Sequence, residues 1–507
     1  MPTFHIEQFG CRATQADGAA IERQLLDRGC TIAPSAVSAD VIVINTCTVT
    51  AAADAQSRDA IRKFHAANPN TQIIVTGCYA QRAPEEIASL PGVSFVVGNS
   101  HKPQIPDLIS PSPAAAHHEM CKNLHIPPAG SAGFVPADSL LQSLGLSLVG
   151  ARDAVPSASE GAHHIHSSRS QVMVADIFQN HDVLVAPVLG GEGNHTRPIL
   201  KIQDGCNNRC SFCVIPFVRG KSRSLTPETI LNEIGCLSDS GYKEIVLSGI
   251  NLGAWGRDLS PRQDFLELLR KILDETSVAR LRLSSIEPLD VTRDMVALFA
   301  SSPRLAEHFH MPLQSASDRI LAAMHRWYRS AHYSRRIDFI CEQLPHAAVG
   351  ADVITGFPGE TETDHAATMD FIQQRPFTYL HVFSYSVRPG TRAAALPNHV
   401  SPVTIKRRAR ELRALSRKKS LEFHRLQSGR ELSLLTLKHS ESTQSSDWTP
   451  ALSSNFLKLR LAGFWQPNQF VSVVCTGDAQ EHLRPHIDSD ELAFAEHTSC
   501  NIEVLSS

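Results

Sequence analysis

The sequence predicts an α/β protein made of an N-terminal parallel α/β domain, a partial or full β/α barrel and a small C-terminal β-barrel. Three observations support this prediction. Apolar strands alternate with helical stretches from residue 3 to about residue 98, six strand-like runs follow between about residues 197 and 396, and short strands and turns fill the rest after residue 431. At 507 residues and 42% hydrophobic content, the chain has room for roughly three or four domains.

The N-terminal segment contains the strands FHIEQF, VIVINT and QIIVTG, which alternate with a helix from Ala19 to Arg28 and another that ends at Ala67. This alternation is typical of a parallel sheet. Cys11, Cys47 and Cys78 each follow one of these strands. Ligands of open α/β sheets bind at the carboxyl ends of the strands, so the three thiols are predicted to meet at one point. Taken singly, each cysteine also fits a small buried hydrophobe.

Residues 101–195 break this pattern. The text is rich in Pro, Ala, Ser and His, and only Ser139–Val149 and Val172–Val188 are periodic. We expect a mostly irregular insertion or long linker. No predicted helix or strand positions the histidines of this segment, which indicates a flexible solvated loop rather than a metal site. These residues are His163, His164 and His166. The predicted division of the chain is 1–100, 101–195, 196–430 and 431–507.

Six strand-like runs follow the insertion, interleaved with helices such as Pro227–Ser240 and Thr363–Gln374. Strands and helices that alternate in this way are typical of a β/α barrel. The six runs are PILKIQ, EIVLSG, RLRLSS, HFHMPLQ, AAVGADVITG and YLHVFSYS. The tail consists of short strands such as LSLLTL and FVSVVCTG, which indicate a small β-barrel.

Composition excludes several classes of protein. The chain carries 48 basic and 51 acidic residues, so a nucleic-acid partner would need a local basic patch. No apolar run approaches the length of about 18 residues that a membrane span needs, and the first ten residues lack a signal-peptide pattern. We expect a cytoplasmic protein with no membrane partner. The helical stretch Ile405–Arg430 is the best candidate for the basic patch, although an ordinary solvated amphipathic helix remains the alternative. Its basic residues are Lys406, Arg407, Arg408, Arg410, Arg413, Arg417, Lys418 and Lys419.

Twelve cysteines are too few for a disulfide scaffold in a chain of this size. Cys206, Cys210 and Cys213 form a C-x3-C-x2-C array directly after the first barrel strand. Three thiolates can ligate three irons of a 4Fe-4S cluster and leave the fourth iron open to a substrate. A zinc knuckle would need a fourth ligand close by, and a redox pair would use only Cys210 and Cys213. The other cysteines show no short spacing and are assigned no chemistry: Cys30, Cys121, Cys236, Cys341, Cys475 and Cys500.

The text CNNRCSFCVIP resembles the signature of radical S-adenosylmethionine (SAM) enzymes. The N-terminal blocks QFGCRATQADG, VIVINTCTVTAAADAQSR and VTGCYAQRAPEE resemble the cysteine boxes of the methylthiotransferase family. The blocks EIVLSGINLGAWG, RLSSIEP, MPLQSASDRILAAMHRWY, ITGFPGETETD and FSYSVRPGTRAA resemble successive parts of its catalytic barrel. The tail loosely resembles a TRAM domain, which binds RNA.

This resemblance implies two 4Fe-4S clusters, each with one open iron. Cys206, Cys210 and Cys213 would hold the cluster that binds SAM, and the first-domain cysteines would hold a second cluster that carries sulfur: Cys11, Cys47 and Cys78. One SAM would methylate the sulfur, and a second would generate the radical at the carbon to be modified. The reaction therefore has two chemically distinct stages.

The resemblance also implies a SAM pocket at the carboxyl ends of the barrel strands. Phe212 matches an aromatic position near the adenine. Other contacts are expected from a strand end, from two groups at later strand ends and from the GFPGE turn: Ser248, Gly249 and Asn251; Glu287 and Gln314; and Gly356, Pro358, Gly359 and Glu360. Plain turns and helix caps would explain the same residue types. Four basic residues are predicted to guide a polyanionic substrate, with ordinary surface charge as the alternative: Arg219, Lys221, Arg223 and Arg388.

The family resemblance predicts methylthiolation of C2 of N6-threonylcarbamoyladenosine beside the tRNA anticodon. INTCTVT, TGCYAQ, GINLG and SSIEP resemble this branch most. The base would leave the stack of the anticodon stem-loop to enter the barrel. A sulfur donor and a reductant are expected partners of a monomer. The alternatives are isopentenyladenosine in tRNA, a ribosomal-protein aspartate, a non-catalytic metal-binding RNA module and a simple electron carrier.

Overall fold

The computed structural model describes residues 1–110, 170–180, 183, 187–188, 196–438, 448–480 and 499–504. These residues form an N-terminal sheet domain, a β/α barrel and a C-terminal sheet, so the predicted fold class is confirmed. No described helix has both the length and the apolar character needed to cross a bilayer.

The N-terminal domain is built on a six-stranded parallel sheet in the order β2-β1-β3-β4-β5-β6. Its strands are β1 Thr3–Gln8, β2 Thr31–Ile32, β3 Val41–Thr46, β4 Gln72–Gly77, β5 Val93–Val97 and β6 Gln171–Met173. Its helices are α1 Arg12–Asp27, α2 Ala51–Ala67, α3 Cys78–Arg82, α4 Pro84–Ala88 and α5 Ile105–Ile109. All of β3 is buried, as expected of a central strand covered on both faces.

Two features of this domain differ from the sequence prediction. Helix α1 begins at Arg12 rather than Ala19, because its first turns bury Thr14 and Asp17 in polar contacts and so lack an apolar period. The second difference concerns α5 and β6. Both lie in the segment that was predicted as an irregular insertion, yet both pack onto this sheet. The stretch Ser139–Val149 and the three histidines of that segment lie outside the described residues.

The six predicted barrel strands are confirmed and run parallel in chain order. They are β8 Ile199–Asp204, β10 Glu244–Gly249, β11 Arg280–Leu283, β12 His308–His310, β13 Ala348–Thr355 and β14 Tyr379–Ser384. Parallel bridges from Leu281 to Leu305 and from Ser285 to His310 join β11 to the β12 segment. Two short strands run antiparallel to β8: β7 Pro187–Val188 and β9 Arg223–Ser224.

The short helix α6 Ile215–Arg219 packs against α3 of the N-terminal domain. The other helices cover the outside of this wall of strands. They are α7 Pro227–Asp239, α8 Phe265–Glu275, α9 Arg293–Ser301, α10 Asp318–Ala323, α11 Ser330–Gln343, α12 Glu362–Gln374 and α13 Pro402–Arg425. Leu200, Leu247 and Leu283 pack with these helices in the main core. Because side chains alternate along a strand, their neighbours Lys201 and Ser248 face the inside of the barrel, which we call the lumen.

Helix α1 of the N-terminal domain lines one side of the lumen. Ala16 of α1 packs against Ile199 of β8 and Val246 of β10, both of which point inward. Asp17 of α1 forms a buried ion pair with Lys201 of β8. One wall of the lumen therefore comes from a different domain.

The C-terminal domain is a five-stranded antiparallel sheet in the order β17-β16-β15-β18-β19. Its strands are β15 Glu431–Thr436, β16 Trp448–Ser453, β17 Lys458–Ala462, β18 Phe470–Gln480 and β19 Ser499–Val504. The edge strands β17 and β19 approach each other without pairing within the described residues, so the sheet curls into a half-barrel. Arg282 donates to the carbonyls of Ser453 and Ser454 at 3.0 Å, and Phe456 stacks on His308 with ring centroids 4.2 Å apart. This domain thus covers the amino end of the barrel.

Candidate active site

The first three cysteines converge at the carboxyl edge of the N-terminal sheet. Cys11 precedes α1, Cys47 directly follows β3, and Cys78 begins α3 directly after β4. A Cβ added to Gly10 would lie 2.8 Å from Cys47 Sγ. Burial, with Cys11 and Cys78 close by, raises the pKa of Cys47 to about 12. Cys11 and Cys78 thus lie near Cys47 at this edge of the sheet, and their role as joint ligands stays a prediction.

Polar side chains join this trio to the barrel. Thr14 Oγ1 lies 3.6 Å from Cys11 Sγ. Asn99 Nδ2 lies 3.6 Å from Cys78 Sγ and donates to the carbonyl of Val218 in α6 at 2.7 Å. Asn99 therefore links a candidate ligand of one domain to a helix of the other. Nothing in the sequence marks Asn99, because its partners are distant along the chain.

The second trio lies in the loop after β8. Cys206 N–H donates to the carbonyl of Gly220 at 3.1 Å, and Cys213 N–H donates to that of Cys210 at 3.2 Å. Burial raises the pKa of Cys206 to about 11 and that of Cys213 to about 12, with neighbouring thiols adding to the effect. Thiols in such surroundings stay protonated unless a cation binds them, and metal binding would release their protons.

Arg326 approaches the second trio from the segment after α10. Its Nη1 donates to Cys210 Sγ at 3.1 Å, and its Nη2 donates to the carboxylate of Glu287. Burial raises the pKa of Glu287, although Arg326 counteracts this. Glu287 was predicted as a ligand contact, and the structure makes it the counter-ion of a residue that touches the cysteine loop. Arg326 was missed, because the text MHRWY does not show that it reaches Cys210.

Neither trio is arranged for a single metal ion. Among the described residues, three potential ligand atoms lie within 4.8 Å of one another only at His310, Asp352 and His381. A tetrahedral zinc ion would bring its sulfur ligands to about 4 Å from one another. The thiols of neither trio lie as close together as the ligands of a single zinc ion, which argues against the zinc alternative.

The two trios lie near opposite ends of one short helix. α6 begins two residues after Cys213 and ends at Arg219, whose Nη2 donates to Asp17 at 3.0 Å and lies 3.4 Å from Thr14 Oγ1. Arg219 Nη1 donates to Asp204, the last residue of β8, at 3.0 Å. Both trios therefore face the boundary between the same two domains.

Arg219 belongs to a buried charge cluster made of Asp17, Lys102, Lys201, Asp204 and Arg219. Burial opposes ionisation, but the three cations hold the pKa of Asp17 well below its usual range. Arg219 is 1% exposed, so the prediction that it guides a polyanion is wrong. Its charge is used inside the protein to join the domains.

Other predicted surface charges are also buried. Arg388 donates to Asp54 at 2.6 Å, and Arg223 donates to the carbonyl of Asn180 at 3.3 Å. In α13, Arg408 pairs with Glu360 at 2.6 Å, and Lys419 donates to the carbonyl of Gln373 at 2.7 Å. These four residues cannot form a tRNA-facing patch. The basic residues that remain exposed are Lys221, Lys406, Arg407, Arg410, Arg413 and Lys418.

Five buried polar atoms at the carboxyl ends of β10 to β14 have no hydrogen-bond partner among the described residues. They are Asn251 Oδ1, Ser284 Oγ, Gln314 Oε1, Thr355 Oγ1 and Tyr385 OH. A buried polar group without a partner costs about 1–3 kcal/mol, so a concentration of five is typical of a site for a polar ligand. Asn251 and Gln314 were predicted from the sequence. The other three were missed, although each lies at a strand end.

The remaining predicted pocket residues lie around this ring. Ser248 is buried, and Gly249 would place a Cβ 3.0 Å from the Gln203 side chain. Gln314 adopts a left-handed backbone with φ of 62°. Phe212 packs with Phe357 and Met324 beside the cysteine loop.

The GFPGE turn is tied to α13. Gly356 has φ of 81°, and its N–H donates to Glu360 Oε2 at 2.7 Å. Glu360 in turn pairs with Arg408 of α13. A Cβ on Gly356 would lie 2.3 Å from Ile405. These contacts indicate that Glu360 stabilises the turn rather than binds a ligand. Gly356, which follows Thr355, lets the backbone of the turn approach Ile405 of α13 closely.

A polar layer crosses the lumen below this ring. Tyr379 OH lies 2.8 Å from His308 Nε2 and 2.9 Å from His310 Nδ1. His310 Nε2 lies 2.8 Å from Asp352 Oδ1, and His381 Nδ1 lies 3.3 Å from the same oxygen. Burial opposes the ionisation of Asp352, but His310 and His381 hold the pKa of this carboxyl below its usual range. The lumen is therefore polar rather than filled by apolar side chains.

Comparisons with known proteins agree with this geometry. Residues 3–98 match the family described as "Uncharacterized protein family UPF0004", and residues 200–372 match the radical SAM superfamily. The chain is 32% identical over 92% of its length, and 98% of the relative's, to the threonylcarbamoyladenosine tRNA methylthiotransferase MtaB of Aquifex aeolicus.

Two further relatives belong to different branches. The MtaB protein of Bacillus subtilis is 32% identical, with 91% of each chain covered. The tRNA-2-methylthio-N(6)-dimethylallyladenosine synthase of an Arthrobacter species is 32% identical over 95% of this chain and 83% of its own. The paired cysteine trios, the barrel and these matches over nearly the whole length lead to one conclusion: the chain belongs to the radical SAM tRNA methylthiotransferase family, whose members are enzymes.

Proposed function

We propose that this enzyme transfers a methylthio group to C2 of N6-threonylcarbamoyladenosine in tRNA, beside the anticodon. The observation that carries the proposal is the pair of cysteine trios at the two ends of α6, at the boundary between the domains. A radical enzyme that only abstracts hydrogen needs one cluster, whereas a second trio provides a place for the sulfur. The names of the relatives from Aquifex and Bacillus support the threonylcarbamoyl branch.

The residues present fit the implied cofactors. Cys206, Cys210 and Cys213 would hold a 4Fe-4S cluster that, with SAM, supplies a strongly oxidising carbon radical when bound. The second 4Fe-4S cluster would be held by Cys11, Cys47 and Cys78. The five unpartnered polar atoms at the strand ends would hydrogen-bond to the polar groups of SAM.

The protein's own residues hold and enclose the site. Arg326 places a fixed positive charge against Cys210 and orients Glu287. Arg219 fixes α6 between the trios through its bonds to Asp17 and Asp204. Helix α1 lines one side of the lumen and the C-terminal sheet covers its amino end, which leaves the carboxyl end as the approach for a base.

The RNA would be attracted by the cations that remain exposed. Lys406, Arg410 and Arg413 lie on the solvent side of α13, and Lys221 follows α6. Phosphate neutralisation by such residues dominates the affinity for nucleic acids. The target base would leave its stack to reach the lumen, as bases commonly do in enzymes that modify them. Because the product gains a sulfur and the reaction consumes electrons, a sulfur donor and a reductant are required partners.

The test uses full-length protein reconstituted with iron and sulfide under anaerobic conditions. Three anticodon stem-loops differ only in the base beside the anticodon, which is adenosine, N6-isopentenyladenosine or N6-threonylcarbamoyladenosine. We expect mass spectrometry of the digested RNA to find a methylthio product only from the threonylcarbamoyl RNA. The control variant Cys206→Ala should give no product and no SAM cleavage. A product from the isopentenyl RNA alone would refute the branch, and bound metal without any SAM cleavage would refute enzymatic activity.

A further inference from the structure

Three side chains that commonly bind metal ions converge in the lumen from three neighbouring strands. His310 is the last residue of β12, Asp352 lies in β13, and His381 lies in β14. Asp352 and His381 are register partners in the parallel pairing of β13 with β14, so their side chains are neighbours on the same face of the sheet. One ligand atom from each of the three residues lies within 4.8 Å of the other two.

The spacing of these ligand atoms fits a single metal ion. His310 Nε2 lies 2.8 Å from Asp352 Oδ1, and His381 Nδ1 lies 3.3 Å from the same oxygen. Nitrogen and oxygen ligands bind zinc at about 2.0–2.2 Å, so two of them at an angle of about 90–109° lie about 2.8–3.6 Å apart. Both measured distances fall in this range. The remaining distance, between the two histidines, needs only a rotation of the His381 ring.

A further contact fixes the imidazole of His310. Tyr379 OH lies 2.9 Å from His310 Nδ1, the ring nitrogen that faces away from Asp352. Gly350 makes room for this contact, because a Cβ at that position would lie 2.2 Å from Tyr379 Cζ. Histidines that bind metals almost always have their second ring nitrogen hydrogen-bonded, which sets the orientation and the tautomer of the ring. His310 Nε2 is held in this way toward the other two ligands.

The three side chains also provide a path for an ion. The side chain of His310 is 8% exposed, that of Asp352 is 22% exposed and that of His381 is 56% exposed. An ion can therefore enter past His381 and be held against the buried imidazole of His310. The interior of a β/α barrel is ordinarily filled by branched apolar side chains, so the presence of three ligand-type side chains there requires another explanation.

We propose that His310, Asp352 and His381 bind a divalent transition-metal ion, zinc(II) by preference, in the lumen. Two imidazoles and a carboxylate form a ligand set of catalytic zinc sites, which keep a further position for water or substrate. Zinc(II) is favoured over iron(II) because it forms the more stable complexes with the same ligands. The open position would take water or an anionic oxygen of a molecule in the lumen.

This site shares no residue with either cysteine trio. Its ligands are imidazole and carboxylate groups, whereas the trios offer only thiols. The inference therefore goes beyond the proposed function and does not depend on which RNA the enzyme modifies. The alternative explanation is that the three side chains only hydrogen-bond to one another and so join the strands.

The test measures zinc binding by the full chain after its clusters have been assembled from iron and sulfide. Zinc(II) chloride is titrated anaerobically by equilibrium dialysis, and zinc and iron are counted per chain by elemental mass spectrometry. The site variants are Asp352→Asn, which keeps the size of the side chain, and His381→Ala, which removes an exposed one. The control His332→Ala removes an exposed histidine of α11. Histidines elsewhere are the same in both site variants, so the difference from wild type reports this site.

We expect wild type and His332→Ala to bind about one zinc ion per chain at least about a hundredfold more tightly than either site variant. Loss of a ligand should cost more than loss of a hydrogen-bond partner of a ligand, which weakens metal binding about tenfold to a hundredfold. Tyr379→Phe should show this smaller loss. Zinc X-ray absorption spectra of wild type should show nitrogen and oxygen neighbours at about 2.0–2.2 Å and no sulfur at about 2.3 Å.

Equal zinc binding by wild type and both site variants would overturn the inference and leave the three side chains as a hydrogen-bonded group. Sulfur neighbours of zinc together with a loss of iron would also overturn it, because zinc would then have replaced a cluster. Iron content equal to that of wild type confirms that a variant is folded. If Asp352→Asn loses iron, the exposed substitution His381→Ala decides the result.

Discussion

Arg326 Nη1 lies 3.1 Å from Cys210 Sγ, which places a buried guanidinium against the central thiol of the second trio. The same side chain pairs with Glu287 and stacks over Tyr328, with its central carbon 4.9 Å from the ring centroid. These contacts hold the cation in one position. A fixed positive charge next to a cluster sulfur stabilises the reduced, more negative state of that cluster.

Replacing Arg326 by Gln should therefore lower the reduction potential of the SAM-binding cluster. Loss of one charged hydrogen bond corresponds to a shift of about 60 mV or more for a one-electron couple. Redox titration followed by electron paramagnetic resonance measures it. The control Arg335→Gln, on the exposed side of α11, should leave the potential unchanged. An unchanged potential in Arg326→Gln with full iron content would contradict the role assigned to this contact.

Gly10→Ala should disrupt the first trio alone. Gly10 has φ of 106°, and an added Cβ would lie 2.4 Å from Cys47 Cβ, so both strain and a clash follow. Iron content should fall from about eight to about four per chain, because one 4Fe-4S cluster is lost and the other is kept. SAM cleavage should persist. The control Gly463→Ala has a similar φ of 79° but meets nothing within 4 Å, and it should keep both clusters. Full iron in Gly10→Ala would show that this packing does not matter for the cluster.

Asp54→Asn should weaken the contact between the N-terminal domain and the barrel. Asp54 accepts from Thr48 at 2.7 Å and from the guanidinium groups of Arg82 and Arg388 at 3.0 and 2.6 Å. Loss of this buried charge should cost about 3–5 kcal/mol. The midpoint of the first urea-induced transition should fall accordingly. Asp59→Asn, which breaks an exposed pair with Arg62, should cost no more than about 0.5 kcal/mol. Equal midpoints for the two variants would contradict the prediction.

The amino end of the barrel should lose stability in acid, because Glu244 becomes protonated there. Burial opposes ionisation, but Arg282 and Arg197 lower the pKa of Glu244 from 4.5 to about 2. A carboxyl with a lowered pKa contributes stability that is fully present above its unfolded pKa and is lost as the pH falls through its folded pKa. Above pH 4.5, the urea midpoint of wild type should therefore be higher than that of Glu244→Gln. This difference between the two midpoints should shrink between pH 4.5 and pH 2. Glu267→Gln, at an exposed pair with Arg270, is the control. A difference that does not change with pH would refute the assignment.

Much of the architecture could be predicted from the sequence, because period and spacing are local properties. The six barrel strands and the strand-end positions of Cys11, Cys47 and Cys78 all follow from apolar strand-like runs that alternate with helical stretches. The start of α1 could not be predicted, since its first turns bury the polar residues Thr14 and Asp17 against the barrel domain. A helix that packs through polar groups has no apolar period to detect.

The roles of charged residues were predicted less well for a related reason. Arg219 and Arg388 have the same composition signal as surface arginines, but their carboxylate partners Asp17 and Asp54 lie 202 and 334 residues away along the chain. Only folding brings such pairs together. The unpartnered atoms of Ser284, Thr355 and Tyr385 were also missed, because a lack of hydrogen bonds is a property of the folded state.

The wall that α1 contributes to the barrel constrains how this chain can be divided. A fragment that began at β8 would expose Ile199, Val246 and Lys201 to water, and a fragment that ended at α5 would separate Asp17 from Lys201 and Arg219. Neither half is a self-sufficient module. If the gene were split between the two domains, the products would have to reassociate to be active. A recombination event that removed the first domain would leave the lumen without one of its walls and open to solvent.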